Sequence, residues 1–366
     1  MKIICTQENL RNGLFAVGRI ISTNNTLPIL NNILIKTENG VLKISSTNLE
    51  VAITTEVRCK VEEEGQTTVF AKTIIELVNN LPNQNITLES KENKLLIQTE
   101  HYHNEIKTLP AEEFPLIPEM EKNEILHVDA QELKKSIDQT VFAASSNQTQ
   151  PEIMGVLLVV EGNTLRIAAT DRYRLAEKIV VLEKDSGTRR ESIIPQKTIN
   201  ELSRIIGPQK GKVEIIFGPT QASLSFENTK IISRLVEGQY PDYKQIIPTV
   251  FKITVVADKQ ELTGALKAVS IFNQQTNSVK LNYSAEKQLL TLSSESSELG
   301  KSDVVIPSKI EGGDGEIILN NRYVLDAVNN IETPSVVVKI IDDSSPSLVM
   351  PEKGSSYLYL VMPIKS

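Results

Sequence analysis

The chain of 366 residues has no tryptophan, two cysteines and three histidines, and aromatic residues make up only 4% of it. The scarcity of aromatics predicts cores built from Val, Ile and Leu, which are among the residues most often buried. Cys5 and Cys59 lack a metal-binding spacing and are too few for a disulfide scaffold. Two isolated thiols fit a reducing compartment better than an oxidising one.

Long apolar runs are also missing. No stretch approaches the ~18 apolar residues of a membrane span, and the apolar run in MKIICTQENL is too short for a signal peptide. We therefore expect no membrane association and a cytoplasmic location. The net charge is −7, with 39 Lys and Arg against 46 Asp and Glu. Because phosphate repels an acidic protein, a DNA-binding role would need a locally basic face or a largely non-electrostatic mode of binding.

One pattern occurs three times along the chain. Each copy has an amphipathic helix, a strand pair, and a strand that runs into a second helix. Leucines recur in the first helices at spacings of 123 and 129, and basic residues recur at the start of the second helices at a spacing of 125. The recurring residues are Leu10, Leu133 and Leu262, and Lys72, Lys197 and Arg322. A period of this length matches a whole domain and exceeds the ~20–50 residues of solenoid repeats.

Two proline-containing connectors, residues 109–123 and 237–250, separate the copies. We therefore predict three domains, at residues 1–120, 121–248 and 249–366. Proline restricts its own φ and the conformation of the residue before it, so the connectors should be stiff. Hairpins predict antiparallel sheets, and two helices per copy would cover one face of them. The predicted fold class is α+β, with three repeated domains that each have two helices backed by antiparallel sheets.

Two motifs point to chemistry only weakly. His101 and His103 share one face of a predicted strand, but no third metal ligand is near in sequence. The segment GPQKGK at residues 207–212 has the wrong glycine spacing for a phosphate loop and predicts a turn. Neither a serine-nucleophile motif nor a zinc-protease motif is present.

Two segments are unusual. The first, ATDRYRLA at residues 169–176, follows a predicted hairpin strand. Three interpretations are open. In an enzyme, Asp171 would act as an acid or base and the arginines would bind an anion. In a capped turn, Asp171 would pair with neighbouring groups, whereas in a binding surface Arg and Tyr would be exposed to a partner. The second is the apolar carboxyl-terminal run from Leu358 to Ile364. It is either a plain terminal strand or, with Met362 before Pro363, an adaptable contact surface.

Several motifs occur in the order found in one family. They are TLPILNNILIK at 26–36, TLPAEEFP at 108–115, ATDRYRLA, YPDY at 240–243 and VMPIK at 361–365. Over its full length the chain resembles the bacterial DNA polymerase III beta subunits, the sliding clamps. The resemblance implies the DNA clamp fold and a head-to-tail homodimer closed into a ring. It also implies a processivity factor that encircles double-stranded DNA, tethers the polymerase, and has neither enzyme activity nor a cofactor. An encircling ring needs only weak phosphate contacts, which suits an acidic chain.

The resemblance further implies a groove that takes a linear motif from the polymerase III alpha subunit, the clamp loader delta subunit, other polymerases and repair proteins. Leu175, Ile246, Val361 and Met362 would bury apolar peptide groups there, while Arg174 and Asn320 would meet polar ones. The matching residues are Ile153, Thr170, Arg172, Tyr173, Arg174, Leu175, Pro241, Gln245, Ile246, Asn320, Tyr323, Leu360, Val361, Met362, Pro363, Ile364 and Lys365. Many members have a small residue and a histidine where this chain has Arg172 and Tyr173, so we expect a different peptide preference.

Two further sets follow from the resemblance. Residues expected to face DNA are Asn24, Lys72, Asn147, Lys197 and Arg204. At the subunit seam, Asn104 and Ile106 of one copy would meet Ser270 and Ile271 of the other. Two hypotheses compete with the clamp: an enzyme that acts on a small anion through Asp171, Arg172 and Arg174, and a protein-binding scaffold with no DNA role.

Overall fold

The computed structural model describes residues 1–21, 27–120, 124–187, 189–272, 276–354 and 356–365. In these ranges it has seven α helices: α1 Gln7–Gly18, α2 Ala71–Asn80, α3 Ala130–Asp138, α4 Pro151–Met154, α5 Gln196–Ile206, α6 Lys259–Ser270 and α7 Asn321–Asn330. None of them is long and apolar enough to cross a membrane.

The same ranges contain 25 strands. The first repeat contains β1 Lys2–Thr6, β2 Asn32–Glu38, β3 Val41–Thr47, β4 Val51–Val57, β5 Lys60–Glu63, β6 Gln66–Phe70, β7 Asn85–Lys91, β8 Lys94–Gln98 and β9 His103–Leu109. The second contains β10 Leu126–Asp129, β11 Gly155–Glu161, β12 Thr164–Thr170, β13 Arg174–Val181, β14 Arg190–Pro195, β15 Lys212–Phe217, β16 Gln221–Phe226 and β17 Thr229–Arg234. The third contains β18 Ile253–Asp258, β19 Ser278–Ser284, β20 Leu289–Ser296, β21 Gly300–Glu311, β22 Gly315–Asn320, β23 Ser335–Ile340, β24 Ser347–Pro351 and β25 Tyr357–Val361.

The chain forms two compact units. Unit 1 comprises residues 1–134 and 197–235. Its 13 strands form one sheet in the order β10-β15-β16-β17-β4-β3-β2-β6-β9-β8-β7-β1-β5. Helix α1 buries Leu10, Leu14 and Val17. Gly13 lets this helix approach β4 closely, because a Cβ at this position would overlap the side chain of Val57. The core of unit 1 therefore has helix packed on sheet, as an α+β fold requires.

Unit 2 comprises residues 135–196 and 236–366. Its 12 strands follow the order β14-β11-β12-β13-β25-β24-β23-β18-β21-β20-β19-β22. Helix α6 buries Leu262, Leu266 and Val269. Aliphatic residues dominate the core, but Tyr357 and Tyr359 of β25 are also buried.

The repeated residues occupy repeated positions. Leu10, Leu133 and Leu262 are at most 1% exposed. Lys72, Lys197 and Arg322 are each the second residue of a helix and are exposed. The helical periodicity in the sequence therefore separated buried from exposed positions correctly.

Helix boundaries differ from the sequence prediction in the second repeat. The apolar periodicity of the second repeat predicts one helix over residues 129–145, but α3 ends at Asp138 and a separate 3-10 turn covers Val141–Ala143. Thr140 follows the helix, and its hydroxyl donates to the Ser136 carbonyl at 2.8 Å. An aspartate before the first helix of each of the last two repeats predicts an amino-terminal cap. The structure confirms both caps, since Asp129 accepts from Glu132 N at 2.9 Å and Asp258 accepts from Gln260 N at 2.8 Å.

Strand pairing crosses the boundaries between sequence repeats. Within unit 1, the fourth strand of the first repeat, β4, pairs with the last strand of the second repeat, β17. Within unit 2, β13 pairs in the same antiparallel manner with β25, the last strand of the third repeat. Strands of the second repeat therefore contribute to both sheets.

Candidate functional site

The two unusual sequence segments are neighbours in unit 2. In the β13–β25 ladder, Arg174 lies opposite Val361 and Leu175 lies opposite Leu360. Beyond the ladder, Met362 N donates to Tyr173 O at 2.8 Å. The ATDRYRLA loop and the carboxyl-terminal run therefore form one continuous surface.

The loop between β12 and β13 is a capped turn of three residues. Asp171 Oδ1 accepts from the backbone nitrogens of Tyr173 and Arg174, both at 3.0 Å. Thr170 Oγ1 donates to Arg174 O at 2.6 Å. Arg172 occupies the left-handed region with φ 79°, a conformation that costs a residue with a Cβ about 1–2 kcal/mol. These bonds hold the backbone of Arg172 in place and leave its side chain exposed.

The guanidinium group of Arg174 joins several parts of unit 2. It donates to Asp171 Oδ2 at 2.9 Å, to Asp326 Oδ2 at 2.7 Å and to Phe142 O at 2.8 Å. The Cζ atom of Arg174 also lies over the Tyr323 ring, 4.3 Å from the ring centroid. Three of its five N–H donors therefore bind within the protein, and the contact of Arg174 with polar groups of a peptide stays a prediction. Both Asp171 carboxylate oxygens are likewise engaged, which weakens the enzyme hypothesis.

A buried apolar cluster lies beneath the loop and the carboxyl-terminal strand. We call it the groove floor; it consists of Ile153, Leu157, Val159, Ala168, Leu175, Ile193, Tyr240, Tyr243, Leu348 and Leu360. Met362 and Ile247 pack against it and remain partly exposed. Tyr173 is 65% exposed and Ile246 is 44% exposed. We call Tyr173, Ile246 and Met362 the groove rim. Accessible apolar side chains over an apolar floor are typical of a docking surface.

The tyrosines of the YPDY segment hold the connector against the floor. Their rings meet edge to face with centroids 6.4 Å apart. The Tyr243 hydroxyl donates to the Glu177 carboxylate, and Glu177 Oε2 lies 3.2 Å from Arg166 Nε. Burial raises the pKa of both Tyr240 and Tyr243, and the negative charge of Glu177 raises that of Tyr243 further. These contacts place the turn that carries Gln245 and Ile246.

The sequence did not identify Glu177 as part of this site. In the run RLAEKIV it reads as one polar position of an alternating strand. Its burial depends on Tyr243, which is 66 residues away along the chain. No local pattern signals such a contact.

The structure assigns different positions to the other predicted groove residues. Leu175 and Val361 are 0% exposed, so in this structure they support the surface from below. Their direct contact with apolar groups of a partner peptide stays a prediction. Asn320 Oδ1 accepts from Tyr323 N at 3.2 Å and caps α7. Ile153 and Thr170 are buried, Pro363 and Ile364 are half-buried, and Pro241, Gln245 and Lys365 are exposed.

The residues expected to face DNA are mostly exposed. Lys72, Asn147 and Lys197 are exposed. Arg204 is exposed too, but Glu201 pairs with it at 2.5 Å. Asn24 lies outside the described residues.

The expected seam residues differ in exposure. Ile271 is 56% exposed and Ile106 is only 8% exposed, while Asn104 and Ser270 are half-buried. Ile271 therefore has more surface to offer a partner than Ile106. The metal hypothesis gains no support, since no group of three or more His, Cys, Asp or Glu suited to a metal ion occurs in the part of the chain that the structure describes.

Family models of the DNA polymerase III beta subunit match the chain in three parts. The amino-terminal domain model matches residues 1–118, the central domain model 127–242 and the carboxyl-terminal domain model 244–365.

Individual relatives match the chain over its full length. The beta sliding clamp of Pseudomonas aeruginosa is 30% identical over 368 residues, covering 100% of each chain. That of Synechococcus elongatus is 29% identical over 374 residues, covering 100% of this chain and 99% of the relative.

Solved structures are similar over the same length. The crystal structure of the DNA polymerase III subunit beta from Pseudomonas aeruginosa has a TM-score of 0.95 at 30% identity, covering 100% of both chains. The DNA polymerase sliding clamp from Bacillus subtilis has a TM-score of 0.96 at 26% identity, covering 100% of this chain and 99% of that one.

Proposed function

The chain belongs to the DNA polymerase III beta subunit family and is a DNA sliding clamp, a processivity factor without chemistry of its own; from this premise we propose how its ring closes and how its groove is used. Two copies close head to tail around duplex DNA, and the groove of unit 2 receives linear peptides. The work of such a ring on DNA places it in the cytoplasm.

Ring closure is supported by a pattern of strand pairing between successive repeats. The pattern occurs twice in the described ranges, and the third pairing that it predicts does not occur there. The fourth strand of the first repeat pairs with the last strand of the second, and the fourth strand of the second repeat pairs with the last strand of the third. By the same rule β21, the fourth strand of the third repeat, would pair with β9, the last strand of the first. In the described ranges β21 pairs only with β20 and β18, and β9 pairs only with β8 and the end of β6.

These two free strand edges fit an interface between two copies. An unpaired edge carries backbone donors and acceptors that a strand of another chain can satisfy. Asn104 and Ile106 lie on β9, and Leu299 beside β21 is 54% exposed. A contact of β9 with β21 joins different surfaces of two identical chains, and such heterologous contacts form a closed ring when the rotation closes.

The contacts with DNA are proposed to be few and independent of sequence. Lys72, Lys197 and Arg322 place one exposed cation at the same helix position in each repeat. Asn147, Arg204 and Asn24 complete the proposed set. Phosphate contacts of this kind position a protein without reading bases, and weak contacts leave an encircling ring free to slide.

The groove is proposed to bind a short apolar motif from the polymerase III alpha subunit, the clamp loader delta subunit, other polymerases and repair proteins. The carrying observation is that half-buried Met362 packs on a preformed apolar floor and that Tyr173 and Ile246 are exposed. A partner would extend the buried apolar area without displacing Arg174 from its carboxylate partners. A preformed site avoids part of the ordering cost of binding.

The seam can be tested by sedimentation of a charged variant. Ile271→Asp places a carboxylate on a residue that is 56% exposed in the single chain. Burying that charge in a dimer is unfavourable, so we expect the variant to sediment as a monomer. Val181→Asp, at a position that is 74% exposed and remote from both free edges in sequence, is the matched control and should remain a dimer. A dimeric Ile271→Asp variant would contradict this seam.

A further inference from the structure

Cys5 lies on β1, and Cys59 directly precedes β5, the strand of unit 1 that pairs with β1. Strand β1 pairs antiparallel with β5 through Ile3 with Val61 and Ile4 with Lys60, where the ladder ends. Continued by one residue, this register would bring Cys5 opposite Cys59. Opposed residues in such a pair have Cα atoms about 4.5–5.5 Å apart. Because a disulfide spans Cα separations of roughly 4.4–6.8 Å, the two thiols lie within reach of one covalent bond.

Burial places the two side chains on the same face of the sheet. On β1, Ile3 and Cys5 are buried. Where the chain enters β5, Lys60 is exposed whereas Cys59, just before the strand, is half-buried, as expected when alternate residues of an extended chain point to opposite faces. Burial raises the pKa of the Cys5 thiol to about 12, and the Cys59 sulfur contributes to this rise. That electrostatic influence is consistent with sulfur atoms that are close together.

We propose that Cys5 and Cys59 form a redox-modification site that closes into a cross-strand disulfide when the protein is exposed to hydrogen peroxide. The more accessible Cys59 reacts first, as a thiolate that attacks one peroxide oxygen. The O–O bond breaks, hydroxide leaves, and Cys59 becomes a sulfenic acid. The Cys5 sulfur then bonds to the Cys59 sulfur, and the sulfenic oxygen leaves as water with the proton of the Cys5 thiol.

The bond would fix an edge of unit 1. Strand β5 spans only Lys60–Glu63, stands last in its sheet and pairs there with β1. A disulfide would join the two strands covalently across a long loop, which restricts the unfolded chain. Burial also raises the pKa of Cys59, so thiolate is scarce near neutral pH and the thiols stay reduced in a reducing compartment.

The test is oxidation of the folded full-length chain with hydrogen peroxide, followed by intact-mass measurement and peptide mapping. We expect the mass to fall by two hydrogen atoms, both thiols to become resistant to alkylation after unfolding, and one cross-linked peptide to contain Cys5 and Cys59. The oxidised protein should melt at a higher temperature than the reduced protein, and a reductant should reverse the change.

A register control separates this proposal from chance oxidation. The double variant Cys59→Ser with Lys60→Cys moves the second thiol by one residue to the exposed face, and we expect it to form no internal disulfide. Closure in this variant as readily as in the parent would overturn the assigned register. Two free thiols, a stable sulfenic acid or a disulfide between two chains in the oxidised parent would overturn the proposed site.

Discussion

Replacing Ile246 with alanine tests whether the groove rim contacts the partner peptide. Ile246 ends a 3-10 turn, Tyr243–Ile246, and is 44% exposed. Complete burial of such a side chain is worth about 1.5–3 kcal/mol. If the peptide covers the part that is still exposed, the alanine variant loses roughly 0.7–1.3 kcal/mol of binding free energy, scaled from that burial value. This loss corresponds to a Kd about three to nine times weaker.

The assay is fluorescence anisotropy with a labelled peptide that carries the clamp-binding segment of the polymerase III alpha subunit. Val250→Ala is the matched control, because Val250 is also aliphatic, is 74% exposed and lies outside the groove floor and rim. Its Kd should equal that of the parent protein. Melting curves should show that both variants fold. An unchanged Kd for Ile246→Ala, or an equal loss in both variants, would refute the rim assignment.

Three further predictions concern the stability of unit 2. Arg174→Ala leaves the carboxylates of Asp171 and Asp326 without their partner. The free energy of unfolding, measured in urea, should therefore fall by roughly 3–5 kcal/mol. A loss below about 1 kcal/mol, the range of a surface ion pair, would contradict the role of Arg174 as a buried partner of both carboxylates. Arg172→Gly removes the strain of φ 79° and should raise that free energy by about 1 kcal/mol, whereas a decrease would show that the side chain stabilises the loop. Burial raises the pKa of Tyr243, so protonated Tyr243 adds to the free energy of unfolding. This contribution is complete below the unfolded tyrosine pKa of about 10 and falls as pH rises above that value. Tyrosinate absorbance should therefore show Tyr243 protonated in the folded chain above that pH, and titration near the ordinary value would contradict its burial.

Periodicity predicted the repeated architecture because burial follows it closely. Leu10, Leu133 and Leu262 are buried at equivalent positions in three helices, and the alternation of apolar residues identified the hairpins. Such features are local, since a residue three or four positions away on a helix, or two on a strand, shares the same face. Helix ends were less certain, as the early end of α3 at Asp138 shows.

The sequence identified the two segments of the proposed site but not how they connect. ATDRYRLA and the carboxyl-terminal run were identified by composition, yet the ladder that joins Arg174 to Val361 spans most of two repeats. The carboxylate partner of Arg174 on α7, Asp326, is 152 residues away. Cys5 and Cys59 likewise read as isolated thiols until β1 and β5 pair. Contacts of this range depend on sheet register, which no local pattern specifies.

The most direct test of the clamp account is retention of the protein on DNA of different topology. The protein is loaded by its clamp loader and ATP onto a nicked circular plasmid and separated from free protein by gel filtration. A ring that encircles duplex DNA should elute with the circular plasmid and slide off once the plasmid is cut into a linear form. Retention that does not change when the DNA acquires ends, or no retention on the circle, would contradict the account.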